Sequence, residues 1–215
     1  MALRDGLVIQ LSKDNSDIVT VFLVFCRHDY GEITPGSAVV DIGANIGVFA
    51  LYAAQSGAKI VQAYEPAEES FNLLQRNIEN NSLEKIVYPY RAAVVGKPSS
   101  PVWFPRKSNV FNAIVERAEN NSDYELVSTI TLTEIVNNML PSSNMFKLDC
   151  EGGEYDIILN SEKSVFESID EIRLEYHRGP SQQLIARFDK LGFNCRQFVD
   201  EGEECGYLLL TKSPL

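Results

Sequence analysis

The stretch VVDIGANIGVFALYAAQSG, Val39–Gly57, has the order of a strand, a tight turn and a helix. An apolar run ends at Asp41, Gly43 and Gly47 bracket the turn, and an apolar helical pattern follows. Open α/β sheets bind ligands beyond the carboxyl ends of their strands, and residues without a Cβ let a ligand approach the backbone. The pattern predicts a ligand lying against this turn and the start of the helix, with Asp41 as a fixed carboxylate and Asn45 in the turn.

A second acid follows at the end of the next predicted strand, KIVQAYEP, which closes with Glu65 and Pro66. Glu65 lies 24 positions after Asp41, and an acid near this spacing commonly accepts hydrogen bonds from the hydroxyls of a ribose. Either feature alone is more often a simple turn or a solvated acid near a helix start. Together, in this order, they favour a nucleoside cofactor.

The glycine spacing separates the possible cofactors. It is G-x-x-x-G, without the central glycine that lets a pyrophosphate approach in the dinucleotide fingerprint G-x-G-x-x-G. The sequence has no G-x-x-x-x-G-K-[ST] loop for ATP either. The anionic Asp41 would repel a pyrophosphate and attract an ammonium and a sulfonium, so we predict S-adenosylmethionine in preference to NAD.

Composition and charge restrict the other function classes. The chain has 215 residues, 45% of them hydrophobic, which suits one domain over 1–215 with a substantial core. Its net charge of -11 argues against a large nucleic-acid or anionic-membrane surface. Two histidines exclude a multi-histidine zinc site. Four cysteines without a C-x-x-C pair, and an opening unlike a secretory signal, predict a cytoplasmic protein; the oligomeric state stays open.

The pattern along the chain alternates strands with helices, which predicts a mostly parallel sheet covered by helices on both faces. Residues 1–37 are interpreted as an N-terminal lead-in, and the proline-containing residues 96–130 as a β-rich insertion that shapes the acceptor pocket. The predicted strands are 38–43, 59–66, 85–95, 144–150 and 169–177, with a hairpin over 194–212. The predicted helices are 17–27, 46–56, 67–81, 132–140, 153–161 and 180–193.

Four motifs, VVDIGANIGVFAL, YEP, FKLDCEGGEYDIIL and RLEYH, together resemble the FkbM-type family of S-adenosylmethionine-dependent methyltransferases. The resemblance covers most of residues 17–177 and implies a Rossmann-like class I methyltransferase fold. That fold has a seven-stranded sheet and a C-terminal antiparallel hairpin. The resemblance also implies O-methylation of a small molecule or a sugar-containing metabolite. Gly153 departs from the family's E-G-x-E pattern by placing a second glycine at the variable position.

Site residues follow from the positions that match these motifs. Asp149 matches the acid that faces the methyl donor, and Glu151 and Glu154 match the neighbouring acids of the E-G-x-E segment. The residues predicted to contact the cofactor are Asp41, Gly43, Ala44, Asn45, Gly47, Glu65, Pro66 and Asp149.

A second cluster of polar residues is predicted where the fourth and fifth strands end. Residues two apart in a strand share a face, so Glu175 and His177 can point together toward Asp149 or Glu151. We predict His177 as the general base, oriented by Glu175. Two alternatives stay open: His177 merely ends its strand and faces solvent, or the four residues bind Mg²⁺ or Mn²⁺.

Three other functions remain open from the sequence. A methyltransferase acting on nucleic acid or protein is disfavoured by the acidic charge. A non-catalytic module that binds the cofactor is disfavoured by the acids at the strand ends. An NAD-dependent oxidoreductase would bind a different nucleotide and be separable by thermal stabilisation.

Overall fold

The computed structural model describes residues 1–3, 6–13, 15–107, 112–115, 122–138, 144–202 and 205–212. Its strands are β1 (Ala38–Ile42), β2 (Ile60–Tyr64), β3 (Val87–Tyr90), β4 (Ala93–Val95), β5 (Val102–Pro105), β6 (Tyr124–Val127), β7 (Thr129–Thr131), β8 (Asn144–Leu148), β9 (Glu171–Tyr176), β10 (Phe193–Gly202) and β11 (Cys205–Lys212). Its α-helices are α1 (Ile18–Phe22), α2 (Val48–Gln55), α3 (Glu68–Asn80), α4 (Leu132–Asn137), α5 (Gly153–Asn160) and α6 (Ser181–Lys190). A 3₁₀ helix covers Lys163–Ser168.

Seven strands form the central sheet in the order β10-β11-β9-β8-β1-β2-β3. The strands from β9 to β3 pair in parallel, whereas β11 runs antiparallel to both β9 and β10. This arrangement confirms the expected Rossmann-like sheet with an antiparallel C-terminal hairpin.

The alternation of side chains across the sheet divides the core into two layers. Val39 and Val61 pack with α2 and α3 on one face, whereas Val40 and Phe146 pack with α5 and α6 on the other. All five residues of β1 are buried, because a central parallel strand is covered by helices on both sides. The continuous apolar run that predicted this strand reflects that double burial.

The predicted strand over 85–95 is wrong as a single element. Only β3 pairs with β2; the chain then leaves the sheet, and β4 pairs in parallel with β7. Pro89 lies in β3, which is an edge strand, where the missing N–H costs no ladder bond. No local sequence pattern predicts that the chain leaves the sheet after Tyr90, because β4 pairs with residues more than 30 positions away along the chain.

The insertion over 96–130 contains the antiparallel pair β5 and β6. Residues 108–111 and 116–121 of this insertion, like 139–140 of the predicted fourth helix, lie outside the described residues. The predicted role of the insertion in shaping the acceptor pocket stays a prediction.

The lead-in helix predicted over 17–27 consists of α1 and a π-helical continuation, Leu23–Arg27. His28 ends it in the left-handed conformation, with φ of 55°. None of the helices within the described ranges combines the length and apolar character needed to cross a bilayer.

Candidate active site

A cavity of about 360 Å³ lies beyond the carboxyl ends of β1, β2, β8 and β9, where an open α/β sheet binds its ligands. Its walls come from the turns after these strands, the start of α2, the lead-in, the chain around β4 and the insertion. The polar and charged residues that line it are Ser16, Thr20, Tyr30, Asn45, Tyr64, Glu65, Asn112, Lys147, Asp149, Cys150, Glu151 and Glu175.

The two glycines of the β1 turn lie where neighbouring protein atoms leave no room for a Cβ. A Cβ on Gly43, at φ of 77°, would lie 1.8 Å from the carbonyl oxygen of Asp149. A Cβ on Gly47, at φ of 91°, would lie 2.5 Å from Cδ1 of Leu74. Gly43 also lines the cavity, but Gly47 does not. These glycines therefore let two strand ends and two helices meet closely, and the expected approach of a ligand to them stays a prediction.

Asp41 is fully buried and forms an ion pair with Lys147, whose Nζ lies 3.1 Å from Oδ1 of the acid. The same ammonium donates a hydrogen bond to the carbonyl oxygen of Gly43 over 2.8 Å. Burial raises the pKa of Asp41, and the charge of Lys147 partly offsets the rise. Burial opposes the charged form of Lys147, but Asp41 and Asp149 outweigh it and raise the pKa of the lysine.

This ion pair decides which of the two side chains faces the cavity. Lys147 lines the cavity and Asp41 does not, so the acid predicted to touch the cofactor is covered by its own counter-ion. Sequence reasoning missed Lys147 as a site residue. Its signal was a lysine inside the otherwise apolar strand NMFKL, where a charge needs a buried partner.

Glu65 is buried at the cavity wall and accepts hydrogen bonds from two backbone N–H groups. These come from Asn45 and Ala67, each over 2.8 Å. Burial raises the pKa of Glu65 to about 7, although both hydrogen bonds act in the opposite direction. The predicted contacts Ala44 and Pro66 also line the cavity.

Asn45 adopts the left-handed conformation, with φ of 49°, and also lines the cavity. Its Nδ2 lies 3.4 Å from Oδ1 of Asp17 at the start of α1. Its Oδ1 is buried without a hydrogen-bond partner among the described residues. This amide oxygen is an acceptor left for a ligand donor, which fits a ribose or an ammonium group.

Three carboxylates, those of Asp149, Glu151 and Glu175, line the opposite end of the cavity. The hydroxyl of Tyr30 lies 3.0 Å from Oδ2 of Asp149 and 2.7 Å from Oε2 of Glu175. Burial and these two acids raise the pKa of Tyr30 well above its usual value, so the phenol stays neutral. Sequence reasoning missed Tyr30, because the lead-in carries no local pattern that relates it to residues more than 100 positions away.

His177 is surrounded by carboxylates and does not line the cavity. Its Nδ1 lies 3.4 Å from Glu154, and its Nε2 lies 3.5 Å from Glu175 and 3.7 Å from Glu151. Burial alone would lower the pKa of His177, but hydrogen bonds with Glu154 and Glu175 and the charge of Asp149 raise it to about 11. The imidazole predicted as general base thus holds its proton at neutral pH.

Glu154 has a structural role at the start of α5. Its buried carboxylate accepts hydrogen bonds from the N–H groups of Cys150, over 2.6 Å, and Gly152, over 2.8 Å. An acid at this position satisfies backbone donors and stabilises the positive end of the helix.

The divalent-ion alternative can be examined on the same residues. Ligand atoms of Asp149, Glu151 and His177 lie within 4.8 Å of one another, as do those of Glu175, His177 and Cys205. A metal ion would have to displace the proton from His177. The divalent-ion alternative stays a prediction from the sequence.

Comparisons with known proteins identify the family of the chain. A family model described as the methyltransferase FkbM domain matches residues 41–209. A curated relative, Methyltransferase 1 of Beauveria bassiana (strain ARSEF 2860), is 26% identical over 183 residues, which cover 72% of this chain and 70% of the relative.

Solved structures share the fold at low sequence identity. The ribosomal protein L11 methylase of Lactobacillus delbrueckii subsp. bulgaricus has a TM-score of 0.56 at 12% identity, covering 100% of this chain and 88% of that chain. The METTL16 methyltransferase domain has a TM-score of 0.55 at 11% identity, covering 96% of this chain and 73% of that chain. With the family model spanning β1 to β11, the chain belongs to the FkbM family of S-adenosylmethionine-dependent methyltransferases.

Proposed function

We propose that the protein methylates a hydroxyl oxygen of a neutral small molecule. The observation that carries this proposal is the charge of the cavity: three carboxylates line one end, and Lys147 is the one lining cation within the described ranges. Lys147 is already paired with Asp41. Anionic acceptors such as nucleic acids need unpaired cations, which supports a neutral acceptor.

The residues at the β1 and β2 ends suit the cofactor. Glu65 has free lone pairs for ribose hydroxyls, and Asn45 contributes its unpartnered amide oxygen. Gly43, Ala44 and Pro66 provide the surrounding wall. When bound, S-adenosylmethionine supplies an electrophilic methyl group.

Asp41 and Gly47 have indirect roles in this proposal. Asp41 holds Lys147, which in turn holds the Gly43 carbonyl, and Gly47 makes room for Leu74. Both therefore shape the β1 turn without a ligand contact of their own.

Glu151 is the carboxylate best suited to take the acceptor proton. It lines the cavity and is held only at the edge of hydrogen-bonding distance, 3.7 Å from His177 and 4.0 Å from Arg178. Burial, opposed by the charge of His177, raises the pKa of Glu151 to about 7. A base whose pKa lies near the working pH is deprotonated in a large fraction of molecules and still has enough affinity to take up a proton.

Asp149 and Glu175 are instead engaged by the Tyr30 hydroxyl. We assign these two acids to orienting the acceptor hydroxyl and Tyr30 to positioning them. His177, as imidazolium, balances the charge of the cluster and keeps it compact.

The test begins with binding and ends with turnover. S-adenosylhomocysteine should raise the melting temperature, and NAD should not. Methyl-labelled S-adenosylmethionine should label neutral alcohols, phenols or sugars in preference to RNA or protein. Stabilisation by NAD alone, or labelling confined to RNA or protein, would refute the proposal.

The base assignment has its own test. Glu151→Gln should reduce turnover about 100-fold or more with cofactor affinity retained, because the amide cannot accept the proton. The exposed Glu84→Gln serves as the matched control. Since a base works in its deprotonated form, wild-type turnover should rise with pH through about 7. Wild-type turnover by Glu151→Gln would exclude this base and leave the methyltransferase proposal standing.

A further inference from the structure

The lead-in helix presents one continuous face to the cavity. Residues spaced three and four apart lie on the same side of a helix. The members of this face are Val19, Thr20, Leu23 and Val24; Ser16 lies just before the helix, and all five residues line the cavity. The helix is therefore a wall of the binding site, and three of these five side chains are apolar.

Beside this wall the helix exposes further apolar side chains, of which Ile18 and Phe22 do not themselves line the cavity. Val19 lines the cavity and is still 59% exposed, and on the next stripe of the helix Ile18 is 51% and Phe22 54% exposed. From the insertion, Ile114 also lines the cavity while 41% exposed. We call Ile18, Val19, Phe22 and Ile114 the apolar rim. Contiguous exposed apolar surface at a binding cleft marks a contact site.

The cavity is too small to enclose the whole reaction complex. At about 360 Å³ it lies near the low end of the volumes found for a single drug-sized ligand. A cofactor beside Glu65 occupies a large part of it, so only the reacting portion of an acceptor fits near Glu151. The remainder of any larger acceptor has to leave through the mouth, where the apolar rim lies.

We propose that the acceptor is an alcohol or phenol with an apolar extension, and that this extension lies along Ile18, Val19 and Phe22 while the hydroxyl meets the carboxylates. This inference rests on the proposed function, because it takes the position of the hydroxyl from it. The polarity of the site selects such a molecule at both ends: carboxylates inside favour a hydroxyl, and the rim favours hydrocarbon.

The inference is tested by binding straight-chain primary alcohols, from butanol to decanol, to protein saturated with S-adenosylhomocysteine. Isothermal titration calorimetry gives the dissociation constant for each alcohol. Each added methylene that reaches the rim should tighten binding about two- to fourfold, since apolar area leaves water. In the double variant Ile18→Ser, Phe22→Ser this gain should disappear for the longer alcohols, with butanol binding unchanged.

Phe198→Ser is the matched control, because Phe198 is 45% exposed on β10 and does not line the cavity. It should retain the wild-type dependence on chain length. Equal dependence in all three proteins, or none in the wild type, would overturn the inference. The inference would also be overturned if sedimentation showed that a second copy of the chain, or a neutral phosphatidylcholine vesicle, binds at the apolar rim.

The two proposals can fail separately. Absence of S-adenosylhomocysteine binding would refute the methyltransferase function. Methylation of short alcohols without any dependence on chain length would refute only the apolar extension.

Discussion

The two ends of the cavity are built from different kinds of contact. At the β1 and β2 end, the shortest hydrogen bonds of the cavity-lining side chains go to backbone groups: Glu65 accepts from two N–H groups, and Lys147 donates to the Gly43 carbonyl. At the β8 and β9 end, the cavity-lining side chains bind one another, as Tyr30 does with Asp149 and Glu175; Glu154, which binds backbone N–H groups there, does not line the cavity.

This difference has consequences for which substitutions each end can tolerate. Following the proposed function, we call the β1 and β2 end the cofactor end and the β8 and β9 end the acceptor end. Backbone N–H and carbonyl groups are present whatever the side chain, so the contacts at the cofactor end depend on the geometry of the turns. Side-chain partners must come from particular residues of distant segments, so the acceptor end can change with substrate. One deep pair, Lys147 with Asp41, connects the two ends, since Lys147 also lies 3.6 Å from Asp149.

The largest expected effect comes from breaking that pair. Lys147→Met leaves the buried carboxylate of Asp41 without a counter-ion and should lower the free energy of unfolding by about 3–5 kcal/mol. Urea denaturation measures it. Asp41→Asn combined with Lys147→Met removes both charges and should recover more than half of the loss. If the free energy of unfolding of Lys147→Met alone lay within about 1 kcal/mol of the wild-type value, the role of the pair would be contradicted.

The next effect tests whether turn geometry limits the cofactor end. Gly43→Ala adds a Cβ at 1.8 Å from a backbone carbonyl oxygen that cannot rotate away, and should cost about 3 kcal/mol or more. Gly36→Ala is the control, because it has a similar φ of 82° but no atom within 4 Å of the new Cβ, and should cost only about 1 kcal/mol. Equal losses in denaturation experiments would mean that backbone strain, not the close approach, governs the turn.

The smallest effect tests the side-chain contacts of the acceptor end. Tyr30→Phe keeps the ring but removes a hydrogen bond to charged acids, which should reduce turnover about tenfold or more with cofactor affinity retained. Tyr52→Phe, which removes a hydroxyl bonded to the Gly31 carbonyl over 3.2 Å, should leave turnover unchanged.

A double-mutant cycle separates positioning from general damage. If Tyr30 acts through Glu175, then Tyr30→Phe combined with Glu175→Gln should lose little more turnover than Glu175→Gln alone. Fully additive losses would mean that Tyr30 acts independently of Glu175.

The sequence predicted the cofactor end more closely than the acceptor end. The β1 turn, α2 and the acid at the end of β2 follow from local patterns, namely apolar runs, glycine positions and an acid before a proline. The contacts of Asp41 with Lys147 and of Gly47 with Leu74 were not predicted, because these partners come from β8 and α3.

The acceptor end could be located but not interpreted from the sequence. The pairs of polar residues after β8 and β9 marked the place, yet the protonation of His177 depends on the summed field of several acids from separate segments. The apolar rim was equally hidden, since exposure of Ile18 and Phe22 is a property of what packs around them.

The sequence by itself determined the alternation of strands and helices in the central sheet, the glycine turn and the acid after β2, because these depend on residues close together along the chain. Only the tertiary structure decided which charge faces the cavity, which acids the Tyr30 hydroxyl contacts and where the third strand leaves the sheet. Those features depend on residues far apart in sequence, and electrostatic energies are set by distance and burial in the folded protein.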